Sequence, residues 1–282
     1  MHRAETIAEL RALLRGRRRD GARIAFVPTM GALHDGHLAL LDVARAHGDV
    51  VVLSIFVNPL QFGPTEDFAR YPRDLDGDAA KAERRGVDVL FAPPREEMYP
   101  RDRAVEVRPI ALADRWEGAV RPGHFAGVLT VVAKLFNIVQ PDAAVFGQKD
   151  IQQATLIRAM IRDLDVPVEI VVAPTVRDSD GLALSSRNAY LSPDERGRAR
   201  AIPRALQAIG DAFAQGERDA RRLEGRGRAV LESADGIAIE YLALMDPVHL
   251  RSVELATPGT IAALAVRVGA TRLIDNAILR GP

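Results

Sequence analysis

RIAFVPTMGALHDGHLALLDVARAHG, residues 23–48, decides how the rest of the chain is read. Its first seven residues, Arg23 to Thr29, are almost continuously apolar, as a strand buried on both faces requires. HLALLDVARAHG then has the spacing of a helix. Between the two lies PTMGALHDGH (28–37), at a strand-to-helix junction where backbone N–H groups and the helix dipole make an anion site. His34 and His37 are three apart and so share a face of a first helical turn. Gly31 and Gly36 leave room for a phosphate to approach the backbone. A lone H-x-x-H reads most simply as a tight turn with two exposed imidazoles. The strand before it and the helix after it favour a nucleotide phosphate instead.

Outward from this junction the alternation continues. DVVVLSIFV (49–57) is a second apolar strand, a helix covers about 74–85, and VDVLFAP (87–93) is a third strand. The helix HFAGVLTVVAKLFNIVQ leads into the strand DAAVFG, and the helix IQQATLIRAMIRDL into the strand VPVEIVVAP, 166–174. Residues 3–15 form a leading helix, with Arg17, Arg18 and Arg19 as a solvated basic end. Repeated βα units predict an α/β fold with a doubly wound parallel sheet, Rossmann-like, taking ligands outside the carboxyl ends of its strands.

After about residue 175 the pattern changes. RDSDGLALSSRN is polar and turn-rich, and Ser192-Pro193-Asp194-Glu195 offers a cap, a Pro and an acid at a helix start. Two helical stretches reach about 233, and three strand-like runs, IAIEYLALMD, IAALAVRV and TRLIDNAIL, end the chain. The expected division is residues 1–175 as the Rossmann-like domain and 176–282 as a smaller α+β domain closing over the active site.

Composition narrows the function. The 282 residues carry 38 basic and 38 acidic side chains, so no net positive field recommends a nucleic-acid or anionic-membrane partner. There is no cysteine, which removes disulfides, thiolate metal sites and a Cys nucleophile and suits a reducing compartment. With no apolar run of spanning length and no signal-like N-terminus, the chain reads as cytoplasmic. Three of the 38 basic residues are lysines, Lys81, Lys134 and Lys149, leaving 35 arginines. A Lys beside a candidate site therefore invites a chemical reason. Lys81 reads as an exposed helix lysine, where Arg would serve equally.

Three further segments carry polar chemistry. FVNPLQFGPTEDFARYPR (56–73) follows the second strand, and its Asn58 and Gln61 amides suit hydroxyls and carboxylates. Behind it, Asp74, Asp76 and Asp78 imitate the start of a calcium loop, but Ala79 stands where Gly is needed and no terminal Glu follows. Calcium is rejected; a magnesium contact through water is the reading left open there, and no protein-held metal is assigned. In GQKDIQQ (147–153), Gly147, Lys149 and Asp150 could surround a nucleotide, with Gln153 a helical step on, or Lys149 and Asp150 could pair at a solvated turn. LSSRN (184–188) groups two hydroxyls and a guanidinium suited to a triphosphate, or serves as a polar linker. His124 in RPGHFAGV reads as a packing or capping residue.

PTMGALHDGH resembles the H-x-G-H motif of the nucleotidylyltransferase superfamily. Taken with FVNPLQFG, RPGHFAGV, FGQKDIQQ, DGLALSSRN and TRLIDN (271–276), it resembles the pantothenate synthetases over nearly the whole chain. That resemblance implies an ATP-dependent ligase joining pantoate to β-alanine through a pantoyl-adenylate, with release of pyrophosphate and AMP. It implies that Met30, Gly31, Ala32, Leu33, His34, Asp35, Gly36 and His37 contact ATP, with His37 as proton donor. Gly147, Gln148, Lys149, Asp150, Val176, Leu184, Ser185, Ser186 and Arg187 would complete the ATP site. Gln61 and Gln153 would hold pantoate, Gln61 also β-alanine, and His34, His37 and Lys149 would carry catalysis with magnesium borne by ATP. A homodimer is implied as well. The competing readings are a nucleotidyl transferase acting on a phosphorylated acceptor and a nucleotide-binding module without catalysis. A tRNA ligase lacks its basic anticodon-binding domain here.

Overall fold

A computed structural model describes residues 1–64, 66 and 68–281; Thr65 and Asp67 of the 56–73 segment lie outside the described residues. The chain runs β1 (His2–Ala4), α1 (Ile7–Arg19), β2 (Ile24–Thr29), α2 (Asp35–His47), β3 (Val50–Ile55), α3 (Leu75–Arg84) and β4 (Val89–Phe91). Two short turns of helix, α4 (Arg95–Met98) and α5 (Glu117–Val120), precede α6 (His124–Val139), β5 (Ala143–Gly147), α7 (Ile151–Asp163) and β6 (Glu169–Ala173). Then come α8 (Pro193–Ala199), α9 (Ala201–Ala214), α10 (Ala220–Glu232), β7 (Ile237–Met245), β8 (Ile261–Val268) and β9 (Thr271–Ile278).

These elements form two compact units. The first comprises Met1–Gly147 and Leu156–Pro174, the second Gln148–Thr155 and Thr175–Pro282. The second therefore also takes in the turn Gln148–Asp150 and the start of α7, which the sequence alone gives to the first.

In the first unit six parallel strands lie in the order β1-β4-β3-β2-β5-β6. Alternation along β2 decides which helix covers which face. Ile24 and Phe26 point into a core with Leu10 and Leu14 of α1 and Leu135 and Phe136 of α6. Ala25 and Val27 point the other way, against Leu41 of α2 and Ala79 and Ala82 of α3. Both faces are covered, which is why the strands read as unbroken apolar runs. The strand order reverses at β2, so the β2–α2 connection leaves the sheet at its switch point, where open α/β sheets take ligands.

β1 is not legible in the sequence. It is three residues long, carries two exposed polar side chains and pairs only with β4, so it has neither length nor periodicity to announce it. The helix start expected at Ser192 is present, and a second capping box, which the sequence reading does not single out, opens α1. Thr6 with Glu9 and Ser192 with Glu195 form reciprocal capping boxes. Arg200 separates α8 from α9, so the first of the two expected helical stretches is broken.

The second unit packs α9 and α10 on the antiparallel sheet β7-β8-β9. Its core includes Ile209, Phe213, Leu223, Leu231, Leu264 and Val266. Among the described residues no helix is long and apolar enough to cross a membrane.

Candidate active site

The chain leaves β2 at Thr29, whose Oγ1 donates to the Ser54 carbonyl at 2.8 Å and accepts from the Gly31 amide. Gly31 and Ala32 both adopt left-handed backbone, with φ of 83° and 52°. This places the Ala32 and Leu33 amides side by side, and each donates at 2.7 Å to one oxygen of the Asp78 carboxylate. The ammonium of Lys81 donates to the Leu33 carbonyl at 2.8 Å. Lys81 is therefore no bystander on an exposed helix, as its sequence context suggests; it ties α3 to the motif. A Cβ at Gly31 would stand 3.0 Å from Asp78 Oδ2 and from Ile55 Cγ2. The glycine makes space for the chain's own carboxylate, where the sequence suggests a phosphate.

His34 caps α2. Its Nδ1 accepts from the Gly36 amide at 3.1 Å, while Nδ1 of His37 accepts from the His34 amide at 3.4 Å. The rings lie 4.1 Å apart between centroids, tilted by 39°. With each Nδ1 an acceptor, the proton of each neutral imidazole sits on Nε2. Two N–H donors are thus held at a helix start, which is what a phosphoryl group gathering charge requires.

Gln61 lies in a 3₁₀ turn (Pro59–Gln61) beyond β3, capped by Asn58. Its side chain is nearly buried. Oε1 accepts from Asn58 Nδ2 at 2.9 Å, and Nε2 donates to Met30 Sδ at 3.0 Å. Asn58 is fixed in turn by Tyr99, whose hydroxyl donates to Oδ1 at 2.9 Å. Burial pushes the Tyr99 phenol upward, so it stays a donor.

Behind Gln61 stands a chain of contacts that gives the RPGHFAGV segment its purpose. Nδ1 of His124 donates to the Gln61 carbonyl at 2.8 Å, and Arg121 Nη1 reaches His124 Nε2 at 3.0 Å. A carbonyl on one side and a guanidinium on the other require the neutral Nδ1–H tautomer. Burial, reinforced by the Arg121 charge, lowers the His124 pKa to about 4. Arg121 also grips Glu66 with two hydrogen bonds, at 2.8 and 2.6 Å. Burial alone would raise the Glu66 carboxyl, but the Arg121 hydrogen bond and charge outweigh it and hold it below the usual range. Gly127 lets α6 approach this turn, since a Cβ there would fall 2.2 Å from the Leu60 carbonyl oxygen.

The second unit holds the remaining candidates. Gln148, Lys149 and Asp150 form a 3₁₀ turn just after Gly147. Asn276 on β9 donates from Nδ2 to the Gln148 and Lys149 carbonyls and accepts from Gln148 Nε2. The Lys149 ammonium makes no hydrogen bond or ion pair to any described residue, so its charge is uncommitted. Asp150 makes no pair with it, contrary to the solvated-turn reading. Gln153 lies in the first turn of α7. Val176 and Leu184 are paired by a backbone bond at 3.0 Å, and Ser185 caps the 3₁₀ turn Ser186–Tyr190 by accepting from the Arg187 amide. LSSRN is thus the return arm of a tied turn: Arg196 binds Asp178 and Asp180, and Arg177 forks onto Asp275 at 2.6 and 3.0 Å.

The sequence brings forward Met30 to His37, Gln61, Gly147 to Asp150, Gln153, Val176 and Leu184 to Arg187. It does not mark Asp78, Lys81, Arg121, Asp275 and Asn276 as supports. Their signal is confined to motif membership, for Arg121 in RPGHFAGV and for Asp275 and Asn276 in TRLIDN. Among the described residues no group of three or more His, Asp or Glu is placed to hold a metal. The acids of α3 have other work: Asp74 caps the helix, Asp76 pairs with Arg3, and Asp78 holds the loop.

A doubly wound sheet with two imidazoles at its switch-point helix places the chain among α/β proteins built to take a ligand at that junction. The family described as pantoate–β-alanine ligase matches residues 2–278. A pantothenate synthetase of Acidobacterium capsulatum is 52% identical, covering 99% of this chain and 97% of that protein. The crystal structure of pantothenate synthetase from Thermus thermophilus superposes with a TM-score of 0.95 at 49% identity, covering 99% of this chain and all of that one. A pantoate–β-alanine ligase structure from Francisella tularensis, complexed with β,γ ATP and β-alanine, gives a TM-score of 0.81 at 35% identity over 99% of this chain and 97% of that one. The chain belongs to the pantoate–β-alanine ligase family, and its activity is the ATP-dependent formation of pantothenate from pantoate and β-alanine. Transfer to a phosphorylated acceptor and nucleotide binding without catalysis are set aside with that assignment.

Proposed function

We propose that the ligation runs through an enzyme-bound pantoyl-adenylate, with His34, His37 and Lys149 as the charge-stabilising groups. A carboxylate is a poor acyl donor, so it must first be activated. The pantoate carboxylate attacks the α-phosphorus of ATP, the bond to pyrophosphate breaks, and pyrophosphate leaves with the electron pair. The β-alanine amine then attacks the acyl carbon, AMP leaves, and the amine proton passes to solvent.

The observation that carries this reading is the reciprocal cap of α2, which commits both Nδ1 atoms as acceptors and so sets the proton of each ring on Nε2. The uncommitted Lys149 ammonium supports it. In this assignment Met30, Gly31, Ala32, Leu33, Asp35 and Gly36 line the ATP site beside the two histidines, as do Gly147, Gln148, Asp150, Val176, Leu184, Ser185, Ser186 and Arg187. Gln61 and Gln153 hold (R)-pantoate, and Gln61 also serves β-alanine. Magnesium arrives on the nucleotide as part of the substrate, since the acids of α3 are otherwise engaged. A homodimer working in the cytoplasm fits the family resemblance and the cysteine-free composition.

ATP and pantoate without β-alanine should release about one equivalent of pyrophosphate per active site, because the amine enters only afterwards. Pyrophosphate that appears only once β-alanine is added would rule out the intermediate.

A further inference from the structure

The geometry points to Asp78 and Lys81 as positioning residues for adenylation: they clamp the backbone of residues 31–33 and through it fix the place of the His34 imidazole. Consecutive left-handed residues at Gly31 and Ala32 turn two amides inward and create a concave anion site. In nucleotide enzymes such a hollow commonly takes a phosphate. Here the anion is built in, with one Asp78 oxygen on each amide at 2.7 Å. The carboxylate side chain is only 2% exposed, and the Lys81 ammonium lies 3.7 Å from Oδ1. The same ammonium donates to the Leu33 carbonyl, so amide, carboxylate, ammonium and carbonyl close a ring around the loop. His34 follows directly, and its cap on α2 begins where the clamp ends.

The loop is therefore preformed. Its first two inward amides are unavailable to ATP, and the phosphates must be met by the imidazoles and by the start of α2. A carboxylate 46 positions downstream thus contributes to the chemistry without touching substrate. The inference rests on the assignment of His34 to the adenylating step, and the experiment separates the two.

Asp78→Asn is close in shape but presents an amide N–H₂ to one of the two backbone donors. Lys81→Met removes the link to Leu33 from a side chain that is 39% exposed and whose loss the fold should accept. Both variants, His34→Ala and the Asp78→Asn/His34→Ala double variant are made in the full chain. Pantoate-dependent ATP–pyrophosphate exchange is measured for each, with melting temperature and magnesium dependence. A displaced imidazole should lower kcat on the order of 10²-fold in Asp78→Asn and about tenfold in Lys81→Met, with far smaller changes in KM for ATP. In the His34→Ala background the Asp78 substitution should cost about threefold or less, because the group it places is already gone.

Parental kcat in a folded Asp78→Asn overturns the clamp, as does a full multiplicative loss in the double variant. Recovery of activity at high magnesium would make Asp78 a metal ligand and also overturns it. If Asp78→Asn does not fold, parental kcat in Lys81→Met decides against the proposal. Parental exchange in His34→Ala would instead remove His34 from the site, and with it what the clamp is for.

Discussion

The Lys149 carbonyl accepts a hydrogen bond at 3.0 Å from the side-chain amide of Asn276, 127 residues away on the last strand of the chain. The same Nδ2 group donates to Gln148, so one buried side chain sets the backbone of the turn that carries Lys149, the lysine proposed above to act on ATP. Asn276→Ala should therefore lower pyrophosphate exchange on the order of 10²-fold by letting the turn drift. Stability should fall by about 1–3 kcal/mol from the unpaired carbonyls. Exchange kinetics and urea unfolding check both; unchanged exchange in a destabilised variant would confine Asn276 to a structural task.

Lys149→Arg keeps the charge but replaces a compact ammonium by a planar fork. The Lys149 side chain makes no bond to the described residues, so the variant should melt within about 1 °C of the parent while losing most of its exchange activity. Equal activity would mean that the site needs only positive potential there.

Gly127→Ala tests the seat of Gln61. The added methyl meets the Leu60 carbonyl oxygen at 2.2 Å and the Gln61 nitrogen at 2.6 Å, and backbone atoms cannot swing aside as a side chain would. The turn must shift, which should cost about 1–3 kcal/mol and raise KM for pantoate more than KM for ATP. A uniform rise in both constants would argue against a selective role for Gln61.

His124 gives the stability a defined pH dependence. Its imidazole ionises near 4 in the folded chain and near the ordinary 6.5 in the unfolded one, so the unfolded chain takes up the proton first as pH falls. The contribution is complete above about pH 6.5 and is lost progressively down to about pH 4, spanning about 3 kcal/mol. Glu66, whose carboxyl is held low, adds a loss of the same sign at lower pH still. Urea midpoints between pH 7.5 and 4.5 should fall more steeply for the parent than for His124→Gln. Parallel slopes would show that another group carries the effect.

What is legible in the sequence is the part written in periodicity and residue type. Almost unbroken apolar runs at 24–29 and 50–55 read as inner strands of a parallel sheet covered on both faces, as they are. The imidazoles, Gln61 and Lys149 stand out because their chemistry is rare at such junctions. Asp78 does not, since it sits among Asp74 and Asp76 and its partners are backbone amides that have no letter of their own. Asn276 is hidden likewise, as its three bonds go to a turn near the middle of the chain. Lys81 is misleading because helix position alone suggests solvent, whereas α3 lies against the motif loop.

The built-in carboxylate bears on how this site could be moved. Residues 28–37 grafted onto another strand–helix junction would bring the histidines but leave two amides turned inward on nothing, around a left-handed alanine that no longer has a reason to stay so. The smallest portable form includes β2, α2 and α3 together, because part of the loop's scaffolding, Asp78 and Lys81, is written on α3 and not on the motif itself.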